Sequence, residues 1–229
     1  MNIYILYPVS GIKKHYRKLF AELLGTMLLV ATVVGSGIMA QNLSDDVGVQ
    51  LTMNMLATVF VLFLLISMLG PISGAHFNPA VSLVFLISKG ISFGMFVFYV
   101  LAQLIGGILG SVIANAMFDI PTEISSRVRI DAGAPLSEIL ATAGLILTIL
   151  LLIKHNQNLV AAGVATWIGA AYIFTSSTSF ANPAVTFGRV FSESFAGIEP
   201  VSAAVFVGLQ IVGALVGFGI YKILEGKNG

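Results

Sequence analysis

The chain has 229 residues, 57% of them hydrophobic and only 9% charged, with a net charge of +1 at pH 7. Soluble domains carry about a quarter charged residues, so this composition belongs in a bilayer, and the near-zero charge gives no electrostatic case for nucleic acid or polyanionic partners. With no cysteine and only His15, His76 and His155, a disulfide framework or a metal site is not expected; no nucleophile, base and orienting group converge in the pattern, so no enzyme and no cofactor is expected either.

The N-terminus holds a short apolar run, Ile3 to Leu6, then the basic stretch Lys13, Lys14, His15, Arg17 and Lys18. That order is the reverse of a signal peptide, and it reads as a tail at the membrane surface. A spanning helix needs roughly 20 mostly apolar residues. Stretches 19–40 and 49–69 qualify first. A shorter apolar stretch at 78–88 follows, opened by Asn78, Pro79 and Ala80, and then a third span at 91–117. A polar loop with Arg127 and Arg129 leads to spans at 137–154 and 158–176. A second short stretch, 182–192, opens with Asn182, Pro183 and Ala184, and a last span covers 201–223.

Placing the N-terminus in the cytoplasm puts eight of the eleven Lys and Arg on that side, Lys89, Lys154, Lys222 and Lys227 among them. Asp45, Asp46, Asp119, Glu123, Asp131 and Glu199 then fall outside, as the positive-inside rule requires. The halves 19–117 and 137–223 resemble each other within one domain. Glu22 answers Glu138, Gln103 answers Gln210, and each half has its own Asn-Pro-Ala. Three spans per half is an odd number, so the second half sits inverted relative to the first.

A ten-residue helix covers about 15 Å, half the hydrocarbon thickness, so two of them end to end replace one span. Asn is a good N-cap and Pro suits the first helical turn. Both short helices therefore start at mid-membrane, and the non-helical backbone leading into each is tolerable only beside a wet cavity or packed in protein. The asparagine amides would face the junction as donors, where converging positive helix ends disfavour cations. Glu22 and Glu138 are costly in apolar spans unless they meet polar partners; bracing the re-entrant backbone of their own halves is the favoured role, with Gln103 and Gln210 alongside. His76 is either a hydrogen-bonded pore-wall residue or a pH gate.

The run Ser73 to Val81, the second Asn182-Pro183-Ala184, and the Glu22, Glu138, Gln103 and Gln210 set resemble the aquaporin, or major intrinsic protein, family. The resemblance covers nearly the whole chain. It implies an all-α membrane fold of six spans plus two re-entrant half-helices in inverted repeats, a pore in each protomer, a homotetramer in lipid, and small neutral solutes as cargo. It also places the narrowest part of the pore outside the motifs; gapless counting from each motif's Asn puts that filter at Thr58, Ala170, Ser179 and Val185. Family members usually carry arginine where this chain has Val185, so the resemblance implies a wide, uncharged filter. It is similar to a bacterial subgroup that passes trivalent arsenicals, methylated ones included. Glycerol, urea or water remain open, as do a water-selective aquaporin and, from a different class, a secondary transporter. Arg189, one turn beyond Val185, either reaches back into the outer vestibule or pairs with Glu193 or a loop carbonyl. Short loops point to a bacterial inner membrane with both termini cytoplasmic.

Overall fold

The structure, a computed structural model, describes residues 11–226; the Ile3 to Leu6 run and Lys227 lie outside the described residues. Among the described residues, eight α-helices and one short 3-10 turn make up the fold. Six helical stretches among the described residues are long and apolar enough to cross a membrane: α1 (Gly11–Leu43), α2 (Val47–Ser73), α4 (Phe93–Met117), α5 (Ala134–His155), α6 (Val160–Phe174) taken with the 3-10 turn Gln157–Leu159 that leads into it, and α8 (Pro200–Glu225). The remaining two, α3 (Pro79–Ile87) and α7 (Pro183–Arg189), are the short ones. Six spans and two half-helices are thus where the hydropathy pattern places them.

Local chemistry sets the helix starts. Asp46 accepts the Val49 N–H at 2.9 Å at the head of α2, and Ser92 accepts the Met95 N–H at 3.3 Å at the head of α4. Asp131 accepts the Gly133 and Ala134 N–H groups ahead of α5. Two boundaries differ from the sequence reading. The basic stretch is no separate tail, because α1 begins at Gly11 and runs through it. The second short helix stops at Arg189 rather than 192, where Val190 and Phe191 turn their N–H groups back to Phe187 and Gly188.

The inverted repeats pack alike, α1 against α4 and α5 against α8. Glycines make both contacts close. A Cβ on Gly106 or Gly110 of α4 would fall 2.5 Å from the Leu23 or Met27 carbonyl of α1, and one on Gly213 or Gly217 of α8 would fall 2.6 or 2.4 Å from the Ile139 or Ala143 carbonyl of α5. Such small-residue seams let spans associate where lipid removes the hydrophobic incentive. Phe60, Leu64, Met68, Leu136 and Ile223 are exposed, as suits a surface whose solvent is hydrocarbon.

The candidate pore

Each half-helix is fed by a loop of unusual backbone. Ala75 and Phe77 before α3, and Thr178, Ser179 and Ala181 before α7, all have positive φ, with Phe77 and Ala181 both at 47°. Non-glycine residues rarely hold that conformation unless the surroundings over-determine it.

The surroundings are two buried carboxylates. Glu22 of α1 accepts from Ser73 Oγ at 2.6 Å and the His76 N–H at 3.0 Å through Oε1, and from the Phe77 N–H at 2.7 Å and Gln103 Nε2 at 2.8 Å through Oε2. Glu138 of α5 repeats the pattern with Ser177 Oγ at 2.6 Å, the Phe180 and Ala181 N–H groups at 3.0 Å, and Gln210 Nε2 at 2.7 Å. The glutamines carry the network onward, Gln103 to Ser82 Oγ at 3.1 Å and Gln210 to Thr186 Oγ1 at 2.8 Å. Four donors on each carboxylate offset its desolvation.

The two loops also hold each other. Asn78 Oδ1 accepts the Ala80 N–H at 2.9 Å, and Asn182 Oδ1 accepts the Ala184 N–H at 3.0 Å, as N-caps do. Their amides cross over: Asn78 Nδ2 donates to the Ala181 carbonyl at 2.8 Å and Asn182 Nδ2 to the Phe77 carbonyl at 2.9 Å. Each amide carries a second hydrogen. The half-helices therefore meet head to head.

A cavity runs past this junction, lined by Asn78, Asn182, Val81, Val185 and the re-entrant loops. The spans contribute residues four apart: Thr58, Leu62 and Ile66 on α2, Leu145, Ile149 and Ile153 on α5, and Val160, Val164, Ile168 and Tyr172 on α6. The loop side presents backbone and polar groups, while the span side is mostly aliphatic. His76 lines the cavity with Nδ1 3.0 Å from Ser82 Oγ, its ring stacked on Phe85 at 4.5 Å and edge-on to Tyr99 at 5.2 Å.

Three of the four filter positions, Thr58, Ser179 and Val185, line this cavity. Ala170 does not. It is exposed on the outer side of α6, in a separate groove with Trp167 and Gly163. A helix turns about 100° per residue, so Ala170 lies more than half a turn from the stripe that ends in Tyr172. Tyr172 holds the pore-facing place instead, its hydroxyl 3.2 Å from Thr58 Oγ1. Arg189, the outer-vestibule candidate, lines the cavity too. Its Nε donates to the Ala196 carbonyl, and Cζ sits 3.5 Å from the centre of the Phe180 ring. Glu193 is not its partner; that carboxylate accepts from Ser126 N–H and Oγ.

The profile of the major intrinsic protein family matches residues 10–177. The chain is 46% identical over 209 residues to aquaglyceroporin AqpS of Rhizobium meliloti, a match spanning 91% of this chain and 90% of that one. The chain belongs to the major intrinsic protein family. Aquaporin A of Dictyostelium discoideum is 29% identical across 95% of this chain and 81% of its own length. The aquaglyceroporin structure from Plasmodium falciparum shares the fold, with a TM-score of 0.69 over 90% of this chain and 95% of that chain at 22% identity.

As a major intrinsic protein the chain is a passive membrane channel for small neutral solutes, not an enzyme. Several residues of its pore escaped the sequence reading. Ser82 and Thr186 join each glutamine to its half-helix, and Tyr99 donates to the Ser73 carbonyl at 2.7 Å. Tyr172 could have been found by extending the period-four stripe from Val160. The loop before α5 also folds inward: Ser125 N–H donates to the Val190 carbonyl at 2.8 Å, and Arg129 is half-buried.

Proposed function

We propose that this channel passes glycerol-sized neutral solutes, with uncharged trivalent arsenicals, methylated forms included, as the most specific cargo. The observation that carries the reading is one cavity threading the Asn78 and Asn182 junction, aliphatic on the span side, with Val185 at the place of the usual filter arginine. A carbonyl-lined rail can accept hydroxyl protons, while aliphatic side chains accommodate the carbon face of a polyol. Arsenous acid, the trivalent form, is a compact neutral trihydroxyl species with similar demands, and a methyl in place of a hydroxyl suits the apolar wall. The aquaglyceroporin name of the Rhizobium relative supports glycerol as a permeant. Asn78, Pro79, Ala80, Asn182, Pro183 and Ala184 form the junction; Thr58, Tyr172, Ser179 and Val185 set the outer width; Glu22, Glu138, Gln103 and Gln210 brace the loops. The working unit is a homotetramer of one-domain protomers, each with its own pore, in a bacterial inner membrane with both termini cytoplasmic.

Stopped-flow light scattering of proteoliposomes tests this with water, glycerol, urea and arsenite. Val185→Arg adds a bulky cation to the lining and is expected to slow glycerol and arsenite before water, by about tenfold for each 1.4 kcal/mol of added barrier. Equal permeabilities in both proteins would mean that Val185 does not border the path.

A further inference from the structure

Arg189 is 2% exposed, and it lies within a membrane helix. A buried guanidinium is expensive unless it is paired or faces a polar cavity, yet among the described residues the only ion pairs are those of Lys154 and His155 with Glu225. Of its five N–H donors, Arg189 commits one, from Nε to the Ala196 carbonyl. The others have no partner among the described residues, and the side chain lines the cavity.

Two further arginines lie close by, outside the cavity lining. Arg129 Cζ is 5.1 Å from the Phe180 ring that also carries Arg189, and Arg127 Cζ is 5.2 Å from the Phe195 ring. Arg129 donates to the Gly197 and Phe195 carbonyls at 2.6 and 2.5 Å. The 195–197 backbone thus takes bonds from both Arg129 and Arg189, fixing their positions without neutralising either. The aromatic faces hold the two cations by their quadrupoles. In the same lining as Arg189, Ser179 Oγ is buried with no hydrogen-bond partner among the described residues, and Thr58 and Tyr172 line the cavity too.

We propose that Arg189, backed by Arg129 and Arg127, makes the outer mouth a positive site that excludes cations and donates hydrogen bonds to oxygen atoms of the solute. The charge missing at Val185 is supplied one helical turn further out. The wider ring left by valine then coexists with ion exclusion, because a guanidinium held against Phe180 stands beside the path instead of across it. Ser179, Thr58 and Tyr172 offer hydroxyls to the same solute. This proposal rests on the channel reading, and the two fail separately: a wild-type protein with no glycerol flux sinks the channel, whereas ion exclusion and local potential test the arginine.

Arg189→Gln keeps a polar side chain and removes the charge. In proteoliposomes with a sodium- or pH-sensitive dye inside, the variant is expected to leak cations at least about tenfold faster than wild type, given the 10- to 1,000-fold ion enrichments that such focused fields produce, and to pass glycerol more slowly because donors to the solute are lost. A variant that passes glycerol and excludes cations as wild type does overturns the proposal. A second measurement leaves Arg189 in place. Because the chain has no cysteine, Thr58→Cys introduces a sole thiol in the lining, and its alkylation by iodoacetate is compared with that by neutral iodoacetamide of similar size. Relative to free cysteine, the iodoacetate preference is expected to rise about tenfold. An unchanged or lower ratio, or no reaction with either reagent, overturns the proposal even if Arg189→Gln fails to fold.

Discussion

Asn78 donates its amide to the carbonyl of Ala181, 2.8 Å away and 103 residues later in the chain. With the reciprocal bond from Asn182 to Phe77 at 2.9 Å, the amides that edge the pore also lock its two halves together.

Asn78→Asp retains the N-cap acceptor and loses the donor, setting carboxylate against a buried carbonyl. Leaving that carbonyl unpaired costs about 1–3 kcal/mol. Heated in detergent, the variant is expected to aggregate at a lower temperature than wild type, and Asn182→Asp should match it. A shift confined to one of the two would contradict the reciprocal lock.

Glu22 and Glu138 each collect four donors. In Glu22→Gln one acceptor oxygen becomes an NH2 that opposes N–H or O–H donors, and no rotation relieves both sides. Leaving a buried donor without its acceptor costs about 1–3 kcal/mol, more where a charge was involved. The yield of folded protein from membranes, by fluorescence-detected size exclusion, should collapse alike for Glu22→Gln and Glu138→Gln. Normal yield with normal glycerol flux would show that the loops hold their left-handed backbone unaided.

Glycines divide by what surrounds them. A Cβ on Gly217 meets the Ala143 carbonyl at 2.4 Å, and one on Gly106 meets the Leu23 carbonyl at 2.5 Å, whereas Gly94 and Gly208 have nothing within 4 Å. Gly217→Ala and Gly106→Ala must push whole spans apart and should lower thermal stability. Gly94→Ala and Gly208→Ala are expected to be neutral or to gain about 0.5–1 kcal/mol, the usual penalty of glycine inside a helix. Detergent melting of the four variants distinguishes the seams from open positions.

The outer loop carries a pH dependence. The Ser126 N–H and hydroxyl hold the exposed Glu193 carboxyl below its ordinary value of 4.5. A depressed carboxylate contributes its stabilisation above the unfolded value and loses it as pH falls through the folded one. Hydrogen exchange at Ser126, corrected for intrinsic rates, should show protection at neutral pH that fades in acid below that window, and Glu193→Gln should weaken it at neutral pH and remove the pH dependence. Protection that grows on acidification would contradict the clamp.

The features legible in the sequence were those whose cost shows locally. A charge in an apolar span, as at Glu22, demands partners, and an Asn-Pro-Ala opening too short an apolar stretch demands a place to end. Both demands appear twice, so the inverted halves and head-to-head helices followed. Other features depend on rotation and on distant partners. Ala170 and Tyr172 differ by two residues and lie on different sides of α6, and gapless counting across a loop cannot supply that phase. Arg189 sits one turn beyond Val185, as expected, but Phe180 and the Ala196 carbonyl settle where it points. The path of the 119–133 loop is set by bonds to Val190 and Glu199, which hydropathy does not register.

Glycerol flux into proteoliposomes of graded protein density is the most direct test of a conduit through the Asn78 and Asn182 junction. The account predicts re-swelling faster than in empty vesicles, rising in proportion to protein density, linear in glycerol concentration and indifferent to sodium or proton gradients. Flux no greater than in empty vesicles, or flux that saturates and follows an ion gradient, would contradict it.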